Sequence, residues 1–232
     1  MKLFADTADM AELTELEEMG LLAGITTNPS LSSKEGADVV ETISKLSRRF
    51  PDIPVLAQVV AVTKEEIIEQ AKSIRSAGDN VVVKVPATAE GIKAIRALKE
   101  MGIKTCATTI LTSAQAMLCA HAGAAYVAPY TGQNDCIGYH GLDTLQEIAE
   151  VFASSDYETE ILAASIEKPQ EFVDCAVHGA DITTAPYHVF MDVFQMPMPL
   201  TQYYIDNFYR DWTANGAYIK ERSEEHTSEL QS

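Results

Sequence analysis

The sequence predicts an α/β protein, a single (β/α)₈ TIM barrel with an extra C-terminal helix, and three observations carry this prediction. Strand and helix patterns alternate about every 25 residues, with no linker or compositional shift between them. Strand segments such as NVVVKV and EILAAS are apolar on both faces, as in a buried parallel sheet. The chain is long enough for eight such repeats. A doubly wound open sheet is the alternative, but the absence of a glycine-rich nucleotide loop favours the barrel.

Short apolar segments bounded by turn residues predict the strands. These are Lys2–Asp6, Gly24–Thr27, Pro54–Val60, Asn80–Val85, Lys104–Thr109, Ala125–Tyr130, Glu160–Ser165 and Asp181–Thr184. Apolar residues at helical spacing, such as Ile67, Ala71 and Ile74, predict a helix after each strand. The predicted helices are Met10–Met19, Val39–Arg48, Lys64–Arg75, Gly91–Met101, Ser113–Ala122, Leu142–Phe152, Gln170–His178, Tyr187–Phe194 and the additional Thr201–Trp212.

Composition and charge limit the classes of protein and partner. Hydrophobic residues make up 47% and charged residues 22% of the chain, which suits a protein that buries a full core. The net charge of -17 argues against a nucleic-acid partner, and no apolar run approaches the ~20 residues of a membrane span. Four cysteines without metal-ligand spacing, and a start without a signal-peptide pattern, predict a cytoplasmic protein with reduced thiols.

We expect the catalytic domain to span residues 1–221. The final segment, RSEEHTSELQS at 222–232, reads like the in-frame translation of a sequencing-library adapter. We therefore expect it to lie outside the fold, as a fusion scar would. A genuine polar tail is the alternative.

Polar residues at the carboxyl ends of the strands are the candidates for an active site, because barrels of this class build their sites there. The candidates are Asp6, Thr26, Asn28, Gln58, Lys84, Thr108, Tyr130 and Ser165. Taken singly, Asp6, Asn28 and Ser165 are more often caps or turn residues.

Lys84 is harder to explain as a structural residue. It lies within VVVKVP, whose other residues demand burial, and lysine is rarely buried without a partner. Desolvation disfavours the charged ammonium, so we expect a free amine that can attack a ketone and form a Schiff base. A lysine that extends out of the strand end into an ion pair is the alternative, and spacing alone leaves both open.

Five stretches, each at a strand end, resemble the fructose-6-phosphate aldolase and short transaldolase family of class I, Schiff-base barrel enzymes. They are LFADT (3–7), AGITTNPS (23–30), VVKVPATAEG (82–91), AAYVAPY (124–130) and LAAS (162–165). The resemblance runs from Met1 to about Trp212. It implies an enzyme of carbohydrate metabolism, related to the pentose phosphate reactions, that needs no metal or other cofactor.

The resemblance also implies a role for each site residue. Lys84 would form the Schiff base with a dihydroxyacetone- or hydroxyacetone-type donor. Asp6 would orient hydroxyl groups and assist proton transfers, and Asn28 would hydrogen-bond the donor's hydroxyls. Thr26 and Ser165 would line the donor pocket.

Three further residues bear on the type of reaction. The resemblance implies that Thr108 helps to hold a catalytic water. It also implies that transaldolases place Glu and Phe where this chain has Gln58 and Tyr130, whereas the aldolases have Gln and Tyr. A tyrosine hydroxyl and an uncharged amide can hold a water that protonates the enamine and releases free donor. We therefore predict an aldolase, with a transaldolase as the alternative.

Recognition of phosphate departs from the family pattern. Where the resemblance implies an arginine after strand six, this chain has Gln133, and where it implies a cation after strand seven, it has Glu167. Charge-assisted contacts are the strong ones for phosphate. We therefore predict reduced phosphate recognition and a smaller or uncharged hydroxyaldehyde acceptor, although Lys168 and the following helix N-terminus leave a route to anion binding open.

A rival of another class is a barrel that binds sugars without turning them over. The Lys84, Asp6, Asn28 and Tyr130 set argues against it. A metal-dependent aldolase is disfavoured because the histidines fall on helices, loops or the tail. The resemblance implies a ring-shaped homo-oligomer, such as a decamer, in which the last helix reaches another subunit.

Overall fold

The computed structural model describes residues 1–32, 38–136, 138, 140–195, 198–216 and 218–219. Eight parallel strands close into a barrel in sequence order, so that β8 pairs with β1. The strands are β1 (Lys2–Asp6), β2 (Gly24–Thr26), β3 (Val55–Gln58), β4 (Val81–Pro86), β5 (Thr105–Ile110), β6 (Tyr126–Pro129), β7 (Glu160–Ala163) and β8 (Ile182–Ala185). The predicted fold class is confirmed.

A helix follows every strand, as the pattern predicted. The helices are α1 (Met10–Glu18), α2 (Pro29–Ser32), α3 (Val39–Arg49), α4 (Lys64–Arg75), α5 (Ala89–Glu100), α6 (Ser113–Ala122), α7 (Thr131–Cys136), α8 (Gly141–Ala153), α9 (Gln170–Val177), α10 (Tyr187–Gln195) and α11 (Met198–Ala214). Two of these, α2 and α7, were not predicted. Each is a single short helix of four or six residues directly after a strand, too short for a repeating apolar pattern to show.

Side-chain caps determine where several barrel helices begin. A residue just before the helix accepts a hydrogen bond from a backbone N–H of the first turn, which stabilises the helix by about 1 kcal/mol. The capping residues are Asp9, Asp38, Thr63, Thr88 and Thr112. At α6 the cap is reciprocal, because the Gln115 side-chain oxygen accepts a hydrogen bond from the backbone N–H of the N-cap residue, Thr112.

Side chains alternate along each strand between the inside of the barrel and the surrounding helices, and both faces are buried. The outward face packs against the helices and forms the larger apolar core. The inward face fills the barrel with a second cluster, and its members are Phe4, Leu56, Val82, Cys106, Ala128, Leu162, Ala164 and Ile182. β2 contributes Gly24 here, since a Cβ at that position would lie 2.5 Å from the Phe4 ring. The filled interior leaves the carboxyl ends of the strands as the place for a site.

Residues 1–192 form one compact unit, and the residues from 193 onward form a second. α11 belongs to the second unit and is longer than the predicted Thr201–Trp212. Along it, Tyr204 and Phe208 are four residues apart, and their rings stack with centroids separated by 6.1 Å. What α11 packs against stays a prediction, and residues 222–232 lie outside the described residues. No helix in the described part of the chain has both the length and the apolar character that a membrane crossing requires.

Candidate active site

A layer of polar side chains lies two residues beyond the apolar layer of the barrel interior. Because residues i and i+2 of a strand share a face, the residue after next in each strand also points inward. Seven of these eight positions are polar, namely Asp6, Thr26, Gln58, Lys84, Thr108, Tyr130 and Thr184, and the eighth is Ala164. The interior therefore changes from apolar to polar within one step along the strands.

Lys84 occupies the centre of β4 with only 8% of its surface exposed. Its Nζ donates a hydrogen bond to the Thr27 carbonyl oxygen at 3.0 Å. Among the residues that the structure describes, no carboxylate lies within ion-pair distance of Nζ. Its neighbours across the sheet are Gln58 on β3 and Cys106 on β5. Burial raises the pKa of the Cys106 thiol to about 12, so this neighbour is a neutral thiol at physiological pH.

Asp6 ends β1, and its carboxylate accepts a hydrogen bond from one of two linked threonine hydroxyls. Thr26 Oγ1 donates to Asp6 Oδ1 at 2.8 Å and lies 2.6 Å from Thr184 Oγ1. Burial raises the pKa of the Asp6 carboxyl above its ordinary value, while the charge of Lys84 and the Thr26 hydrogen bond act in the opposite direction. A carboxyl group with a raised pKa beside a buried amine is suited to moving protons.

Tyr130 closes the opposite side of the site. Its hydroxyl lies 3.1 Å from Thr108 Oγ1, so these two predicted residues are in direct contact. Gln58 lies on β3 at the position paired with Lys84. The three residues predicted to hold the catalytic water are Gln58, Thr108 and Tyr130. They lie on β3, on β5 and just after β6, all in the polar layer of the barrel.

Two non-glycine residues at the mouth have left-handed backbone conformations, Thr109 with φ 57° and Ser165 with φ 68°. Thr109 lies within an irregularity of the β5–β6 pairing, and Ser165 follows the end of β7. The irregularity breaks the alternation of side chains, so Thr108 and Thr109 both contribute to the site although they are consecutive. A left-handed conformation of a non-glycine residue costs about 1–3 kcal/mol, and such conformations concentrate at functional sites.

The short helix α7 brings Gln133 to the mouth. It is attached at its first residue and near its middle. Thr131 N–H donates to the Ala164 carbonyl at 3.1 Å, and Asn134 Nδ2 donates to the Leu111 carbonyl at 3.0 Å. Gly132 permits the close approach to Ser165, since a Cβ there would lie 2.6 Å from the Ser165 carbonyl oxygen. The Gln133 side chain is exposed to the cavity.

These elements enclose a cavity of about 410 Å³ at the carboxyl ends of the strands. Its lining includes six of the predicted site residues, which are Asp6, Asn28, Lys84, Tyr130, Ser165 and Gln133. The remaining predictions, Thr26, Gln58, Thr108 and Glu167, are not in the lining. Sequence reasoning missed four lining residues, Thr109, Leu111, Ala164 and Thr184. Thr184 could have been predicted, because it lies near the carboxyl end of β8, as the other candidates lie near the carboxyl ends of their strands.

Glu167 lies on the exposed loop between β7 and α9. Its backbone N–H and that of Lys168 both donate to Glu171 Oε2, at 2.6 and 2.8 Å. A carboxylate of the chain itself thus binds the N–H groups just before α9.

Among the described residues, no group of three or more His, Cys, Asp or Glu side chains is arranged to hold a metal ion.

Comparison with known proteins adds to this geometry. The family model described as Transaldolase/Fructose-6-phosphate aldolase matches residues 3–229. A probable transaldolase 1 of Bacillus cereus is 43% identical over 212 residues, which cover 91% of this chain and 97% of that protein. A probable transaldolase of Clostridioides difficile is 40% identical over 220 residues, covering 95% of this chain and all of that protein.

The solved structures that resemble this one share its fold. The crystal structure of 3-hexulose-6-phosphate synthase from Salmonella typhimurium superposes with a TM-score of 0.60 at 23% identity, covering 80% of this chain and 89% of that one. Fold and relatives together define an enzyme built on a (β/α)₈ barrel. The chain belongs to the Transaldolase/Fructose-6-phosphate aldolase family.

Proposed function

We propose that this chain is a class I aldolase that forms a Schiff base between Lys84 and a dihydroxyacetone- or hydroxyacetone-type donor. The observation that carries the proposal is the environment of Lys84, which is buried, faces the cavity and binds a backbone carbonyl rather than a carboxylate. A lysine that served only as an ion-pair partner would have a carboxylate within ion-pair distance, and none of the described residues places one there. The same cavity holds Asp6 and Asn28, which can orient the donor's hydroxyl groups.

The cleavage reaction follows from this arrangement. Lys84 Nζ attacks the ketone carbon, and the carbonyl oxygen leaves as water to give a protonated imine. Asp6 takes the proton of the hydroxyl group on the second carbon from the imine carbon. The bond between that second carbon and the carbon next to the imine then breaks, and its electron pair flows to the imine. The aldehyde leaves and an enamine remains. A proton then adds to the enamine carbon at which the bond broke. Hydrolysis of the resulting imine releases the donor ketone and restores the amine.

Borohydride trapping tests this proposal. Reduction in the presence of dihydroxyacetone should add the mass of the reduced donor to Lys84, as mapped by peptide mass spectrometry. Lys84→Met should abolish the adduct and lower kcat/KM by at least roughly a thousandfold, as loss of a nucleophile does. Lys104→Met, on the loop before β5, is the matched control and should trap normally. An unmodified Lys84 at millimolar donor would instead favour a sugar-binding protein without turnover.

A transaldolase is the second candidate, favoured by the names of the two relatives, both probable transaldolases. The two activities differ in the fate of the enamine. The contact between Tyr130 and Thr108, with Gln58 next to Lys84, supports a water that protonates the enamine and frees the donor. Release of dihydroxyacetone without an added acceptor supports the aldolase, whereas turnover only in the presence of an acceptor aldehyde supports the transaldolase.

We further propose that the acceptor is an uncharged hydroxyaldehyde. Lys84 is the one cation among the described residues that line the cavity, and it is committed to the imine. Gln133 offers a neutral amide at the mouth. The N–H groups before α9, which could have bound an anion, already bind Glu171. Phosphate would therefore meet few charge-assisted donors.

A paired assay with glyceraldehyde and glyceraldehyde 3-phosphate checks the acceptor. We expect equal or higher kcat/KM for the unphosphorylated aldehyde. A preference of about tenfold or more for the phosphate, equal to about 1.4 kcal/mol, would contradict the proposal.

A cytoplasmic location and a ring-shaped homo-oligomer also stay predictions. Light scattering on the purified chain measures its oligomeric state.

A further inference from the structure

Three side chains from three strands form a continuous hydrogen-bonded row at one edge of the site. Asp6 ends β1, Thr26 ends β2 and is its register partner, and Thr184 lies on β8, which pairs with β1 on the other side. The row runs from Asp6 Oδ1 to Thr26 Oγ1 at 2.8 Å and on to Thr184 Oγ1 at 2.6 Å. Thr26 and Thr184 are both buried, and Thr184 also lines the cavity.

The protonation state of Asp6 determines which oxygen donates in each hydrogen bond of this row. An ionised carboxylate can only accept, so Thr26 must use its single proton toward Asp6. Thr26 Oγ1 then lacks a proton for Thr184, and Thr184 must be the donor of the second bond. When Asp6 is protonated on Oδ1, the row can reverse, with Asp6 donating to Thr26 and Thr26 donating to Thr184. The Thr184 proton is then free to turn toward the cavity.

We propose that Thr184 is a positioning residue that holds Thr26 in its donor state and thereby supports the carboxylate form of Asp6. Donation from Thr184 polarises the Thr26 hydroxyl, which strengthens the bond that Thr26 makes to the carboxylate. The row reverses when Asp6 takes up a proton and returns to its first direction when Asp6 releases it. This role rests on the proposed part of Asp6 in the reaction.

Other titratable groups also lie near Asp6, and their contribution to a pH profile must be distinguished from that of the row. The titratable residues that share a cavity wall with Asp6 are Lys84 and Tyr130 on one side and Asp9, Glu12, Tyr187 and His188 on the other. In the described residues, the Thr184 side chain hydrogen-bonds to Thr26 and to none of these groups. A pH effect of a Thr184 variant therefore reports on the row of hydroxyls.

The pH dependence of kcat/KM for cleavage tests the proposal. Thr184→Val keeps the shape of the side chain but cannot donate, so the carboxylate of Asp6 loses support and the acidic limb should move to higher pH. We expect a shift of about half a pH unit. Thr184→Ser restores the hydroxyl and should restore the wild-type profile. Thr183→Val is the matched control on the same strand, because Thr183 is buried and its hydroxyl contacts Met1 Sδ instead.

A double-mutant cycle tests the path through Thr26. Thr26→Val removes the direct donor and should shift the acidic limb further than Thr184→Val does. Adding Thr184→Val to Thr26→Val should then cause no additional shift, because the connection is already broken. An undiminished shift in that background, or a Thr184→Val profile that matches Thr183→Val, would overturn the role of Thr184.

Borohydride trapping separates this inference from the proposed function. If the wild-type chain traps dihydroxyacetone on Lys84 and cleaves substrate while Thr184→Val leaves the pH profile unchanged, only the role of Thr184 fails. If the wild-type chain traps nothing on Lys84, the proposed function fails and takes this role with it. A shifted profile in a chain that traps normally supports both.

Discussion

The carboxyl group of Asp6 is desolvated in the folded chain, which raises its pKa above the value of the unfolded chain. The folded state therefore binds this proton at pH values where the unfolded state has released it. The stability that the protonated group contributes is fully present below the unfolded pKa and is lost as pH rises through the folded pKa. At neutral pH, the charged Asp6 lowers stability while it serves the reaction.

Replacing Asp6 by asparagine should separate these two effects. We expect Asp6→Asn to lower kcat by about 10²–10⁴-fold, the range of a lost acid–base group. Urea unfolding at neutral pH should show the variant to be as stable as the wild type or more stable, because the amide needs no ionised form. The advantage should shrink as pH falls through the folded pKa of Asp6.

The exposed carboxylate of Asp52 provides the control. Asp52→Asn should leave both activity and the pH dependence of stability close to those of the wild type. An Asp6→Asn variant whose stability relative to the wild type is lower at neutral pH than at acidic pH would contradict the sign of the argument.

At the scale of the elements, α7 is held where it is by a close approach of two backbones. Gly132 faces the carbonyl oxygen of Ser165, and the obstructing atom belongs to the main chain, so it cannot move aside as a flexible side chain would. The neighbouring Tyr130 and Gln133 take their positions from this helix and from the strand before it. The mouth of the site thus depends on one residue without a side chain.

Gly132→Ala should therefore disturb both stability and activity. We expect the free energy of unfolding to fall by about 1–3 kcal/mol, as overpacking does, and kcat/KM to fall with it. Urea denaturation and the cleavage assay measure the two effects. Gln133→Ala removes atoms from the next residue without adding any, so its stability should change by less than about 0.5 kcal/mol. A Gly132→Ala chain with wild-type stability would show that α7 can move freely.

The elements also show where sequence patterns suffice. α4 and α6 have the predicted bounds, because a side-chain cap begins each helix. An apolar stripe runs along α4, whereas α6 ends at Gly123, which has a left-handed conformation. α7 was missed because TGQNDC has no such stripe, and its position depends on bonds to Ala164 and Leu111, which are distant in sequence. Thr109 was predicted only as the end of a strand, since nothing in the sequence signals the irregularity in its pairing with β6.

At the scale of the whole molecule, the net charge of -17 acts on every charged substrate. A strongly negative protein repels an approaching phosphate, and salt screens that repulsion. We expect kcat/KM for glyceraldehyde 3-phosphate to rise between ~0.01 M and ~0.5 M salt, where the screening length falls severalfold. The value for glyceraldehyde should change little, because an uncharged aldehyde feels no such field.

Sodium chloride and potassium chloride at matched ionic strength provide the control, since screening depends on ionic strength rather than on the ion. A fall in kcat/KM for the phosphorylated acceptor with increasing salt would indicate a cationic binding site for phosphate and would contradict the view of the mouth as anion-poor.

The sequence by itself determined the barrel, the polar layer and the central lysine. These follow from local rules, because alternation along a strand decides which residues face inward and the carboxyl end of each strand decides where a site forms. Only the tertiary structure decided the row from Asp6 through Thr26 to Thr184, the left-handed turns at Thr109 and Ser165, and the binding of Glu171 to the loop before α9. The row depends on the register between strands that are far apart in the chain, because closure of the barrel brings β8 next to β1. The turn at Thr109 depends on the irregular pairing of β5 with β6. The bonds of Glu171 span only three and four residues, but no repeating pattern in the sequence predicts them.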